Sequence, residues 1–382
     1  QVLFVLFLFL IYRIVYKKAA RLVINHMCML MLIGFIILTR LNFDNAVRQF
    51  EIAVAAAVVS AFVPMLVRKL KFLRKFTWFY CAVGVVALGI VLVMGKMSGG
   101  AHLSFTVAGV TLQPSEFVKI IFVFFVAAML YKNTSLKQIM LTSALAGVHV
   151  LMLVVEKDLG AAVIFFVTYI VMLYVATRRA MWPLMGLAAG AGASVVAYHL
   201  FDHVKRRVVA WKDPWGNYND AGYQIAQSLF AIGTGGWFGM GLYQGMPKDI
   251  PVRESDFIFA VIAEELGGFF AICLILVFMS CFIMFINISL RLTNNFYKLL
   301  AIGLSIAYGF QLFLCIGGVI KFIPHTGVTL PLISYGGSSI LSTIIVFAVI
   351  QGLYLLKQKE VKEIEEKRRE SEQRQWNDQT RV

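Results

Sequence analysis

The sequence predicts an all-α fold: a polytopic membrane bundle of ten helices, one extra helix ahead of them, and one large extracytoplasmic loop. Three observations predict it. Of 382 residues, 60% are hydrophobic and 14% charged, against roughly 25% charged in ordinary globular domains, and mean hydropathy is +0.81. Eleven apolar stretches approach the about 20 residues that a helix needs to cross a bilayer. Basic side chains alternate between successive short connections. A soluble chain of this length would divide into domains of about 150 residues, but no soluble core hides so much apolar surface. The net charge of +15 therefore reads as cytoplasmic loops, not as a nucleic-acid surface.

The stretches run over 1–12, 22–39, 50–67, 77–94, 115–131, 138–155, 159–177, 182–200, 257–289, 298–320 and 332–356. The first opens without an initiator Met or a signal-type cleavage site and reads as the end of a truncated transmembrane helix. One set of connections carries Arg13, Lys17, Lys18 and Arg21, then Arg68 to Lys75, Lys132 and Lys137, Arg178 and Arg179, and Arg291 and Lys298. This set is expected in the cytoplasm, which also places the tail, 357–382, there. The tail mixes both charge signs and reads as a solvated helix extension or a disordered end. The chain thus divides into an extra helix and basic linker (1–21), a transmembrane domain (22–356) and a charged tail. The outer segment 201–256 far exceeds the about 2–8 residues common between bundle helices. It holds Trp211, Trp215 and Trp237, a helical AGYQIAQSLFAI and a glycine-dense turn. The five cysteines sit inside apolar runs and read as buried hydrophobes.

Charges inside a bilayer cost about 2.5 to 3.5 kcal/mol each at mid-helix, so they are paired or functional. In QPSEFVKI, Pro114 suits the first helical turn and Glu116 the positive helix N-terminus. Glu116 and Lys119 either form an (i, i+3) pair or face an interior cavity. Glu156, Lys157 and Asp158 read as a solvated outer turn. RESDFIFAVIAEELGG places Asp256 at the outer mouth of a long helix, either as an N-terminal charge favoured by the helix dipole or, with Glu264 two turns deeper and within about a quarter turn of it, as one wall of a vertical cleft. Adjacent Glu265 requires a cation or a proton if buried. Arg206 and Arg207 read by default as surface charge, or else suit a diphosphate through their fork geometry. The glycine turn lacks a phosphate-loop pattern. The six histidines show no metal-ligand spacing and read mostly as bundle or interface residues. KFIPHTGVTLPLISYGGSS reads as a broken or re-entrant segment lining a cavity.

Several strings together resemble the SEDS family, the RodA, FtsW and SpoVE type of peptidoglycan glycosyltransferase. Its carriers are Arg48-Gln49, GAHLSF at 100–105, QPSEFVKI at 113–120, KDLGAAV at 157–163, KRRV at 205–208, AGYQIAQSLFAIGTGG at 221–236, SDFIFAVIAEELG at 255–267 and GVTLPLISYGGSS at 327–339. The resemblance implies ten transmembrane helices in the bacterial plasma membrane, polymerisation of lipid II at the outer face, and a class B penicillin-binding protein as partner. It makes Asp256 the essential acidic residue. Ser104, the EKD at 156–158, Lys248 and Val252 depart from the family pattern. Thr326 stands where division-type members often carry Lys, favouring an elongation-type or sporulation-type role.

The chemistry implied is inverting transfer. Asp256 takes the proton of an acceptor sugar hydroxyl, and Arg48, Arg206 and Arg207 stabilise the departing polyprenyl pyrophosphate. Glu116, Lys119 and Glu264 complete the expected substrate contacts. A divalent cation bridging Asp256 and pyrophosphate is an alternative role for the same carboxylate. A lipid II flippase using the buried charges, and a non-catalytic scaffold for the penicillin-binding protein, are the competing functions.

Overall fold

The computed structural model describes residues 1–69, 71–94, 96–98, 101–107 and 110–379, with side chains excepted at 71–72, 94–111, 362–364, 367–368 and 372–379. Among these residues thirteen α-helices succeed one another. They are α1 (Val2–Val15), α2 (Arg21–Leu41), α3 (Phe43–Lys69), α4 (Thr77–Met94), α5 (Pro114–Leu130), α6 (Leu136–Val155), α7 (Leu159–Thr177), α8 (Met181–Leu200), α9 (Asp202–Lys212), α10 (Tyr223–Gly235), α11 (Ile258–Leu290), α12 (Asn295–Val319) and α13 (Gly337–Gln379). Each predicted stretch falls on a helix. Eight helices are long and apolar enough to cross a membrane, while α1 and α4 are shorter apolar helices. Three short antiparallel strands, Lys96–Ser98, Ala101–Val107 and Val110–Leu112, join α4 to α5. The side chains of GAHLSF, Ser104 among them, lie outside the described residues.

Local chemistry explains the helix starts. Pro114 opens α5, where its missing N–H costs nothing. Ser135, Asp158 and Asn294 cap α6, α7 and α12 by accepting from the Gln138, Ala161 and Phe296 amides. Pro64 inside α3 leaves the Ser60 carbonyl without its helical donor. The Tyr12 hydroxyl, buried on α1, donates to that carbonyl at 3.0 Å, so the extra helix repairs a defect in α3 that hydrocarbon would not tolerate. Gly352 of α13 packs on the same proline, where a Cβ would come within 3.0 Å of its Cα.

The centre of the bundle is α5, buried along nearly its whole length, with α12 beside it. By contrast α8 contributes no buried residue. Cys273 departs from the expected burial: it is exposed with Ile272 and Leu276 on the outward face of α11.

Two boundaries differ from the sequence reading. The last long helix begins at Gly337, not 332, because the chain is non-helical from 320 to 336. The long helix α11 breaks at Gly267 (φ 84°, ψ 169°). There the backbone pairs with the glycine turn: Met240 and Gly241 amides donate to the Glu264 and Glu265 carbonyls, and Gly268 donates to Gly236 at 2.8 Å. A Cβ on Gly267 would sit 2.4 Å from the Gly239 nitrogen, so only glycine fits. The segment 201–256 is thus an ordered cap with two helices, α9 and α10. We call this the loop end of the bundle and the opposite one the basic end.

Candidate active site

Two non-helical segments, 251–257 and 320–336, cross at the loop end. Tyr335 N–H donates to the Glu254 carbonyl at 2.8 Å, and the Ser334 hydroxyl donates to the Ser255 carbonyl. Gln49 of α3 clamps the second segment, donating to Ser334 O at 2.9 Å and accepting from Gly336 N at 3.1 Å. The Asn45 amide donates to Glu254. Asp256 is therefore held by backbone fixed on both sides, which is how a single carboxylate acquires a defined direction.

Its Oδ2 lies 3.6 Å from His325 Nε2, and the two side chains are 22% and 12% exposed. The Phe257 ring stacks on His325 with centroids 4.5 Å apart. From α9, Arg207 donates to the Thr326 carbonyl at 3.1 Å. Gly327, at φ 74°, forms a bare floor between them: a Cβ there would stand 3.5 Å from Asp256 Oδ2 and 3.8 Å from Arg207 Nη2. Burial pushes the Arg207 pKa down, while Asp158 and Asp256 push it back up. A guanidinium stays cationic under such opposing effects. His325 Nδ1 and Thr326 Oγ1 are buried without a hydrogen-bond partner. Unpaired buried polar atoms are rare in native proteins and call for an explanation; here they flank the partly exposed Asp256.

A second polar cluster lies beside the first. Lys119 Nζ donates to Glu116 at 2.8 Å and to Gln311 at 2.6 Å, and Ser342 donates to Glu116 at 2.9 Å. Gln311 donates in turn to the Thr329 carbonyl. Asp158 accepts from Ser115 at 3.0 Å and from Gln113 at 3.3 Å, besides capping α7. A cavity of about 30 Å³, room for about one water, runs between this cluster and Gly327. Glu116 and Lys119 thus satisfy both sequence readings, as an (i, i+3) pair that also lines a cavity.

Several expected residues lie elsewhere. Arg206 is turned out and pairs with Asp220 at 2.7 Å, both side chains 67% exposed. Arg48 is exposed on α3; its neighbour Gln49 makes the inward contact. Glu264 does not share a cleft with Asp256, because α11 begins only at Ile258 and the non-helical backbone through Asp256 does not keep the helical register; Glu264 Oε1 instead accepts from Met246 N of the cap at 3.1 Å. Glu265 finds the required cation in Arg40, 3.1 Å away at the end of α2. The EKD turn is not solvated: Glu156 is 1% and Asp158 9% exposed. Sequence reasoning missed His325 and Asp158. The signals were a histidine between Pro324 and Gly327 in a broken segment, and an N-cap carboxylate opposite the polar start of QPSE.

Among the described residues no group of three or more His, Cys, Asp or Glu is placed to hold a metal. Asp256 offers a single carboxylate, which would hold a Mg²⁺ only with water and substrate phosphate oxygens completing its shell.

The profile of the FtsW, RodA and SpoVE family, described as cell cycle proteins, matches residues 20–358. The chain belongs to this family. It is 37% identical over 273 residues to the peptidoglycan glycosyltransferase RodA of Mycobacterium tuberculosis, covering 66% of this chain and 57% of that protein. It is 35% identical over 283 residues to the probable peptidoglycan glycosyltransferase FtsW of Aliivibrio salmonicida, covering 70% and 69%. The chain thus spans under two-thirds of the length of its mycobacterial relatives. A solved chain from a study of polymerisation and crosslinking by a peptidoglycan synthase complex superposes with a TM-score of 0.76 at 23% identity, over 89% of this chain and 98% of that one. That likeness shows a shared fold, a multi-pass helical bundle. All the strings that carried the resemblance fall within the matched family region.

Proposed function

We propose that the chain is a peptidoglycan glycosyltransferase that polymerises lipid II at the outer face of the bacterial plasma membrane. The observation that carries this reading is Asp256, fixed by flanking backbone, partly exposed, and facing Arg207 and His325 across a floor without side chain. Its carboxylate takes the proton from an acceptor sugar hydroxyl as that oxygen bonds to the anomeric carbon of a second lipid-linked sugar. The bond from that carbon to polyprenyl pyrophosphate breaks on the opposite side, with inversion. Arg207, half-buried and bidentate by nature, meets the developing charge on the pyrophosphate. Arg206 and Arg48, being exposed, act at most on the approach of the anionic lipid. The proton leaves with Asp256 and is released to water from that partly exposed carboxylate.

The orientation follows the basic connections, which puts the tail in the cytoplasm and the cap outside. Named relatives of both elongation and division type support the enzyme class, and Thr326 favours the elongation or sporulation type. The partner we infer is a class B penicillin-binding protein, which would crosslink the strand as it emerges.

The test is to give purified protein fluorescent lipid II in detergent and resolve the products on a gel. A glycan ladder from wild type, absent with Asp256→Asn, is the expected result. Detergent abolishes sidedness, so a flippase or a scaffold yields no ladder, with or without the cognate penicillin-binding protein. A ladder of equal intensity from Asp256→Asn would remove this carboxylate from the mechanism.

A further inference from the structure

We propose that the basic end of the bundle holds the headgroup of an anionic glycerophospholipid, in a site separate from Asp256 and independent of its chemistry. A cavity of about 570 Å³ opens there between the C-terminal ends of α5 and α7 and the first turns of α12. Three cations from three connections line it: Lys132 after α5, Arg178 after α7 and Lys298 in α12. No Asp or Glu lines it, and among the described residues none of the three cations has a carboxylate within 4.0 Å. Cations gathered around a common space without counter-charge repel one another, so the arrangement is stabilised by an anion.

The remaining walls define the anion. Tyr131, Tyr174 and Asn295 offer hydrogen-bond donors. Asn295 is the first residue of α12, whose 25 residues direct a positive dipole end into the same space. Lys132 Nζ lies 5.5 Å from the ring centre of Tyr131, another lining residue, a cation–π contact that keeps the ammonium beside the cavity wall. The other walls are aliphatic, with Leu299 and Ile302 buried behind them. Inorganic phosphate needs no aliphatic wall. A phosphodiester with glycerol and the first acyl carbons uses both halves. Tyr174 is 48% exposed, so the site is not sealed from the flank of the bundle. All three cations belong to connections that the charge distribution assigns to the cytoplasm, the leaflet face at which basic pockets between helices bind acidic lipid headgroups.

Native mass spectrometry of the full chain in detergent tests this, with phosphatidylglycerol, phosphatidylcholine or inorganic phosphate added. Wild type is expected to retain one phosphatidylglycerol and no phosphatidylcholine under equal activation. The triple variant Lys132→Gln, Arg178→Gln, Lys298→Gln is expected to lose affinity on the order of 100-fold, the loss that follows from three charges at about 1 kcal/mol each near an anionic lipid. Lys298→Gln alone should weaken retention several-fold, whereas Lys298→Arg should keep it, which holds the test open if the triple variant does not fold. Equal retention of phosphatidylcholine, displacement by millimolar inorganic phosphate, or a loss in Lys298→Arg matching that in Lys298→Gln would each overturn the proposal.

Discussion

Two polar clusters stand side by side at the loop end, and they differ in how completely they are satisfied. Around Glu116 and Lys119 no buried side-chain nitrogen or oxygen of Glu116, Lys119, Gln311 or Asp158 is left unpaired among the described residues. Around Asp256, His325 Nδ1 and Thr326 Oγ1 are buried and unpartnered, and the carboxylate itself is within reach of solvent. A closed network fixes helices relative to one another, since breaking any member strands a charge. An open one keeps bonding capacity for a ligand. On the function we propose, the first cluster would serve positioning and the second chemistry.

The sharpest way to break that contrast is Asp256→Asn. Polymerisation should fall about 10³-fold or more, while the thermal midpoint in detergent drops far less than it does for Lys119→Met, because the carboxylate is itself partly exposed and its neighbour Arg207 keeps its bond to the Thr326 carbonyl. A large loss of stability would place Asp256 with the closed network instead. Lys119→Met should do the opposite. Stranding Glu116 is expected to cost about 3 to 5 kcal/mol, read as a lowered denaturation midpoint. Adding Glu116→Gln should restore part of that loss, since both charges are then gone.

The arginines sharpen the comparison. Arg207→Gln should lower kcat about 10²-fold, as loss of one preorganised donor does. Arg206→Gln should change it less than about twofold, its pair with Asp220 being exposed. Equal effects would mean that α9 rotates in the working enzyme.

The smallest expected effect concerns Glu156. Burial, then Asp158, pushes its carboxyl up from the ordinary 4.5 to about 8. The folded protein keeps a proton there that the unfolded chain releases above 4.5, so this contribution is complete at low pH and declines until about 8. Glu156→Gln should therefore melt a few degrees above wild type at pH 8.5, with the gap closing toward pH 5. A gap constant with pH would contradict the assignment.

The sequence exposed Asp256 readily, because SDFIF sits at the head of an apolar run in an ordered series of motifs. It exposed Glu116 and Lys119 because charges among apolar residues are conspicuous. It did not separate Arg206 from Arg207. Neighbours on a helix differ by about 100° in direction, and which of them faces inward depends on Thr326, 119 residues away. Glu156 and Asp158 look like solvated turn residues in a short polar string, and only the packing of α5 and α9 over that turn buries them. His325 carries no local signal beyond its setting between Pro324 and Gly327.

By itself the sequence determined the order of the apolar helices, the proline that opens α5 and the polar residues that needed partners. All of these follow from composition and from spacing within about four residues. Tertiary structure alone decided the break at Gly267, the non-helical path through Asp256 that takes it out of register with Glu264, the outward turn of Arg206, and the meeting of Asp256, His325 and Arg207 over Gly327. Those outcomes depend on which distant segments pack together, and burial and partner geometry, unlike helical periodicity, exist only once they have.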